Sequence, residues 1–423
     1  MGRTARDNRD RPRPKPVERI ELSEGNLGRR LAAVVALLAV AAIAFAYGVT
    51  RFFSAQAGWQ TIEASSSQGP TCGEELTLLY ELGAEEGSAA AAEGRALAAL
   101  YSDTCRKLFQ LFHTVEQFEG VVNLRELSLR PNETLTVDPM LYRAFETVGR
   151  YGDRTIYLGP VYARYGDLFF CREDGQLTDF DPRLSADVAR EYGTLAAYAR
   201  DPGAIDLRLL GDDRVCLFVS EDYLDFARRE GVDQFLNFGW LTNAFVVDAV
   251  AGALLEQGFT HGVVSSYDGF QRNLDDRGGR YSLNVLDYVD GDTYRAAVLE
   301  YQGARSIVCL RDHAVEGLDG QRIYRLKNGE VRTAYLSPED GLCRSAVHDL
   351  TGYSTGLGCG EMALKLAPVY VADTLDAGAL DGLAREGLQS IWCRDRVIFA
   401  TEPGAEFTKL YEGDGVRYTV SPD

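Results

Sequence analysis

Leu236 to Asp248, LNFGWLTNAFVVD, is the segment of this 423-residue chain whose residue types and spacing point most directly to chemistry. A polar-glycine turn containing Asn237 and Gly239 runs straight into an apolar helical stretch, so the first amides of the helix are left facing outward. Such a helix start suits an anion, phosphate above all, because free N–H groups and the helix dipole act together. Trp240, Asn243 and Asp248 lie on the same segment. By type Trp240 belongs in a core, and Asp248 is a polar residue on an otherwise apolar helix. Further on, Asp268 sits in a Tyr-Asp-Gly turn, where Asp is also favoured for local backbone bonding. Thr351 falls in VHDLTGYS, and Asp373 ends the apolar run LAPVYVAD. The glycine-rich piece Gly356 to Gly360 reads as a turn, since no strand-then-helix pattern frames it. There is no GxSxG, no Walker loop and no HExxH. The four histidines, His113, His261, His313 and His348, never stand four apart, and no CxxC occurs, so a structural zinc site is not expected.

The order of these motifs resembles the ApbE-type FAD:protein FMN transferases over roughly residues 75 to 405. That family's signature reads approximately DLGGIAKGYAVD where this chain has LNFGWLTNAFVVD. Asn237 stands for the first Asp, Gly239 for the first Gly, Trp240 for the second, Asn243 for the Lys and Ala244 for the Gly after it, while Asp248 keeps the last Asp. Upstream, TIYLGPVYARYG is similar to TVGPLVNLWG, with Gly159 and Pro160 retained. In SSYDGF, Ser266 and Tyr267 replace the glycines of a GGD turn and Asp268 remains. VHDLTGYS resembles HIIDPRTGYP, keeping Thr351, Gly352 and Tyr353, with Ser345 at the family His and His348 at its Asp. ADTLDAGAL resembles ADALATAL, keeping Asp373 but placing Ala377 at the Thr.

The resemblance implies an enzyme that binds FAD, uses Mg²⁺ on the pyrophosphate, and moves FMN onto a Thr or Ser hydroxyl of a partner protein. It implies cofactor-facing roles for Asn237, Gly239, Trp240, Asn243, Asp248, Asp268 and Thr351, and a metal role for Asp373. The substitutions run against that chemistry. Trp240 and Ala244 add bulk where the backbone should approach a cofactor. Asn243 removes a positive charge, and losing one preorganised electrostatic group typically costs about 10² to 10³ in rate. Of the lysines beyond the apolar run, Lys107, Lys327, Lys365 and Lys409, none lies in a family motif, and Ala377 removes a metal-binding oxygen. The expectation is an ApbE-like domain that has lost, or nearly lost, flavin transfer and acts as a binding or accessory module. A divergent but active Mg²⁺-dependent transferase, with Asp268 and Asp373 on the metal, is the alternative, and a structural partner of another membrane protein is a third reading.

Both hydrophobic periods occur in the elements that must hold these residues. Helical spacing marks residues 93–113, 186–199 and 242–257, the last stopping at Gly258. The runs RVCLFVS, THGVVSSY, ARSIVCL, LAPVYVAD and RVIFATE read as short strands. Helices and strands interleave without a steady βαβ period, which predicts an α+β fold in one large domain over 71–423.

Residues 31–49, LAAVVALLAVAAIAFAYGV, form a nineteen-residue run without a charge, long enough at about 1.5 Å per residue to cross a hydrocarbon core. Nine basic residues precede it, and after Arg51 none follows until Arg95, which predicts a cytoplasmic basic tail (1–30), one transmembrane helix (31–49), a spacer (50–70) and an extracytoplasmic domain. A cleaved signal peptide ending near Ala46 is the competing reading. The tail holds nine of the 44 Lys and Arg and five of the 63 Asp and Glu, leaving the remainder at a formal charge of −23. Such a surface repels nucleic acid and acidic head groups. All eight cysteines lie beyond the apolar run, where some pairing is permitted.

Overall fold

The structure, a computed structural model, describes residues 57–83, 88–315, 317–413 and 415–422. The basic tail and the apolar run at 31–49 lie outside the described residues. Among the described residues no helix is long and apolar enough to cross a membrane.

Nine strands form one sheet whose spatial order follows the chain: β1 (Gly58–Ile62), β2 (Leu76–Leu82), β3 (Gly262–Ser266), β4 (Phe270–Leu274), β5 (Ser306–Arg311), β6 (Asp349–Ser354), β7 (Gln389–Arg394), β8 (Val397–Ala400) and β9 (Thr419–Val420). Neighbours pair antiparallel except β8 with β9. Strand β2 alternates as a half-buried strand should, with Leu76, Leu78, Tyr80 and Leu82 inward. Strand β6 is buried at every position because both its faces are covered. On one face Ile307, Tyr353 and Ile391 meet Val285, Ala297, Leu299 and Tyr301 of a long hairpin, Arg280–Val289 with Asp292–Gln302. On the other, a Cβ at Gly352 would fall 2.6 Å from Leu366 of a helix.

Three helices carry the site side of the sheet. Helix α1 (Ser88–Phe112) packs on α2 (Thr242–Glu256), α2 lies over β3 and β4, and α3 (Cys359–Tyr370) lies over β5 and β6. Buried residues fall on most sides of α2, from Asn243 through Val247 and on to Leu254, so it is a core helix and not an amphipathic cover. It ends at Glu256, with Gly258 at φ +82° just beyond. The helix expected at 186–199 is present as Ala186–Arg200, capped by Ser185, whose hydroxyl accepts from the Val188 amide. The α+β class stands.

Three sequence readings are corrected. LAPVYVAD, read as a strand, is the end of α3, which tolerates Pro368 three residues before its last turn closes at Val371. A short apolar run buried on several sides carries no period, so strand and helix look alike there. Gly356 to Gly360 does lie between a strand and a helix, β6 and α3. The stretch read as a spacer contains β1, which pairs with β2 from Gly58 opposite Leu82, so the ordered fold begins before residue 71. The eight cysteines are all free thiols.

Candidate functional site

The turn into α2 is built by close backbone approaches. A Cβ at Gly159 would stand 2.6 Å from the Gln234 carbonyl, so only glycine lets these two loops touch. The Asn237 amide donates to the Ile156 carbonyl at 2.9 Å across that contact. Asn237 then turns its side chain inward, Oδ1 accepting from the Gly239 amide at 2.7 Å. Gly239 sits at φ +54° with the Tyr162 ring against its α-carbon, where a Cβ would come within 2.3 Å. Thr242 returns its hydroxyl to the Gly239 carbonyl at 2.8 Å. Asn237 and Gly239 therefore shape the helix entry.

Beyond this turn lies a cavity of about 300 Å³. Its polar end is made by Asn243, whose Nδ2 donates to Glu75 Oε2 at 3.0 Å and to Asp268 Oδ2 at 3.2 Å. Asp268 also accepts from the Ser266 hydroxyl at 2.5 Å. Glu75 is exposed at the mouth, whereas Asp268 is only 7% exposed. Burial pushes the Asp268 carboxyl above its ordinary value, against the pull of Arg322 and the hydrogen bonds from Ser266 and Asn243. Aromatic rings form the walls: Tyr162, Tyr165, Phe169, Trp240, Tyr267, Phe270 and Tyr335. The Trp240 indole is 7% exposed and meets Tyr335 edge to face at 5.1 Å. It lines the cleft without closing it. Its Nε1 finds no acceptor among the described residues.

Arg322 also lines the cavity, a cation that the sequence reading did not place there. Its guanidinium is committed elsewhere, pairing with Asp319 at 2.7 Å and donating to the Tyr335 hydroxyl at 2.8 Å. Asp319 is fully buried and takes Arg311 as well, at 3.3 Å. Glu75 and Arg322 carry no local signal: Glu75 lies 168 residues from Asn243, outside every motif.

The remaining candidates stand apart from this cavity. Asp248 caps α3, its two oxygens accepting from the Cys359 and Gly360 amides at 2.9 and 2.8 Å, and it pairs with Arg272 at 2.8 Å. The anion that the glycine-rich turn could hold is thus a carboxylate of the chain itself. Thr351 is buried on β6, donating to Asp349 at 3.1 Å, and lines none of the cavities described here. The Asp373 side chain is 85% exposed and pairs with Arg344 at 3.1 Å, in a cavity shared with Arg183 and Arg332. His348, set opposite a family Asp in the sequence, instead meets Asp312 at 2.9 Å on a cavity of about 720 Å³. That contact holds the imidazole pKa above its usual value, and the two neighbouring histidines hold the Asp312 carboxyl below its own.

No family model and no curated protein matches the sequence. Solved structures do. The ApbE protein from Thermotoga maritima matches with a TM-score of 0.54 at 12% identity, over 83% of this chain and 97% of that one. The fold is ApbE-like. The flavin transferase ApbE from Vibrio cholerae matches at 0.51 and 14% identity, over 79% and 93%. At such identities the likeness is one of architecture. Whether an ApbE-like fold here suits FAD and Mg²⁺ depends on its own side chains, and they do not fit. A pyrophosphate brought to Asn243 would face two carboxylates, and about 300 Å³ is the lower end of small-molecule pockets, roughly 300 to 1,000 Å³. Asp373 has guanidinium neighbours and Ala377 has no oxygen, so that pair does not make a magnesium site.

Proposed function

We propose that this chain is a membrane-anchored, extracytoplasmic ApbE-like module that has lost, or nearly lost, flavin transfer and binds a small ligand in the α2 cavity. The observation that carries this reading is Asn243, where a single neutral amide bridges Glu75 and Asp268. A site evolved for a pyrophosphate concentrates positive charge, whereas this one places two carboxylates side by side and holds its one cation, Arg322, against Asp319. The anchor rests on the uncharged run at 31–49 and the basic residues before it. A partner protein at the outer membrane face is the natural setting for such a module.

Arg322 favours a second reading, a divergent transferase that recruits this guanidinium for phosphate. One experiment separates the two. The full chain is titrated with FAD by fluorescence, then incubated with FAD, Mg²⁺ and a threonine-containing acceptor protein. The module reading expects no saturable FAD binding at micromolar concentration and no covalent flavin on the acceptor. Robust flavinylation would establish the transferase.

A further inference from the structure

The α2 cavity joins two features that ordinarily call for different partners. Its polar end holds two carboxylates, Glu75 at the mouth and Asp268 beneath it, both hydrogen-bonded by one Asn243 amide. A neutral amide lends direction to both but cancels neither charge. Asp268 has only Asn243 and Ser266 as side-chain hydrogen-bond donors. Arg322 acts on it through the field, its Nε donating to Asp319 and its Nη1 to Tyr335, while Nη2 is ion-paired with Asp319 without a hydrogen bond. The two carboxylates repel each other, Asp268 from a buried position, and a cation between them relieves that repulsion.

The walls say which cation. Seven aromatic side chains surround the space, and besides their faces they offer only neutral tyrosine hydroxyls, of which those of Tyr162 and Tyr165 are buried without a hydrogen-bond partner among the described residues. A hard metal ion takes about six oxygens, carboxylates and carbonyls before protonated phenols, and here it would find only the Glu75 and Asp268 side-chain carboxylates. Organic ammonium groups are stabilised by both carboxylates and aromatic rings. The second, independent observation is the Trp240 indole N–H, buried on the same wall without an acceptor. Indole nitrogen only donates, so its partner is an oxygen or another acceptor. An overall acidic domain raises the local concentration of cations at the mouth.

We infer that the α2 cavity binds a small primary amine with an apolar body and one acceptor oxygen, its ammonium between Glu75 and Asp268 and its oxygen at Trp240 Nε1. This rests on the reading that the cavity is not a dinucleotide site. The volume of about 300 Å³ suits a molecule of roughly ten heavy atoms. Access is from the Glu75 side, which is open to solvent.

The test is calorimetric titration of the purified full-length chain with tyramine, which carries an ammonium, a ring and a hydroxyl oxygen, and in parallel with 4-hydroxyphenylpropionate, which replaces the ammonium with a carboxylate. Saturable tyramine binding is expected, with no binding of the acid. Glu75→Gln and Asp268→Asn are each expected to weaken tyramine about tenfold or more, the usual loss for a hydrogen bond to a charged group. Trp240→Phe, which keeps a ring but removes the N–H, is expected to weaken it by a smaller factor. Glu75→Gln changes an exposed side chain at the rim, so it remains informative even where Asp268→Asn does not fold. Equal binding of the acid, or tyramine affinity unmoved by Glu75→Gln, overturns the assignment. Absence of tyramine binding together with absence of FAD binding overturns the amine and leaves the module reading standing. Saturable FAD binding at micromolar concentration overturns both.

Discussion

Asn243 stands at the position of the family Lys and gives its amide hydrogens to two carboxylates. Restoring the ammonium is therefore not the same as restoring the family site. In Asn243→Lys the new charge would be taken up by Glu75 and Asp268 within the cavity, and the expected outcome is loss of amine binding with FAD affinity still unmeasurable in the same titrations. A gain of FAD affinity would mean that the missing charge alone had closed the site to nucleotides. Asp349 offers a separate residue-scale test. It is buried on β6, and burial pushes its carboxyl up to about 7, with His313 and Arg311 pulling the other way. The folded state thus holds the proton more tightly than the unfolded chain, whose Asp titrates near 3.9. The sign follows: this contribution to stability is complete below about pH 4 and is lost as pH rises through about 7. Asp349→Asn keeps an oxygen for Thr351 and cannot ionise, so its stability relative to the wild type should improve between pH 4 and pH 8, by up to ~4 kcal/mol. Urea denaturation at both pH values measures this.

At the scale of elements, the junction of β6, α3 and α2 gives Asp248 a structural task. Asp248 comes from the middle of α2 and closes the start of α3, while a Cβ at Gly358 would fall 2.5 Å from its carboxylate. The glycines permit that approach and the carboxylate satisfies two orphan amides. Asp248→Ala should cost about 2–3 kcal/mol by urea denaturation, one cap-sized loss for each of two amides plus an unpaired Arg272. Asp248→Asn should cost less, since one oxygen still accepts. Amine affinity should stay within about twofold in both, because Asp248 does not line the α2 cavity. A large loss of affinity with stability intact would return Asp248 to the binding site.

At the scale of the whole molecule, the proposed topology makes the cysteines reporters, since all eight follow the apolar run and none is bonded to another. Most are buried thiols, whose ionisation burial disfavours, as at Cys359 and Cys393. Cys171 is among the more accessible, in the loop after Gly166–Phe170. In intact cells a membrane-impermeant maleimide should label the full chain, and Cys171→Ser should remove most of that label. Labelling only after the cells are opened would place the domain on the cytoplasmic side.

Hydrophobic spacing was enough to locate the helices at 88–112, 186–200 and 242–256, and motif order was enough to point to the ApbE-like architecture, because both are properties of neighbours along the chain. The same logic failed for LAPVYVAD, where burial on several sides erased the period that separates strand from helix. What stands opposite Asn243 was beyond any local pattern. Glu75 arrives from the turn before β2 and Arg322 from a loop after β5, and only the folding of the sheet brings them to one cavity. Charge at a site is a sum over residues that are close in space, so the sequence by itself placed a neutral Asn243 at the start of a helix, while the tertiary structure decided that two carboxylates and a ring of aromatics surround it.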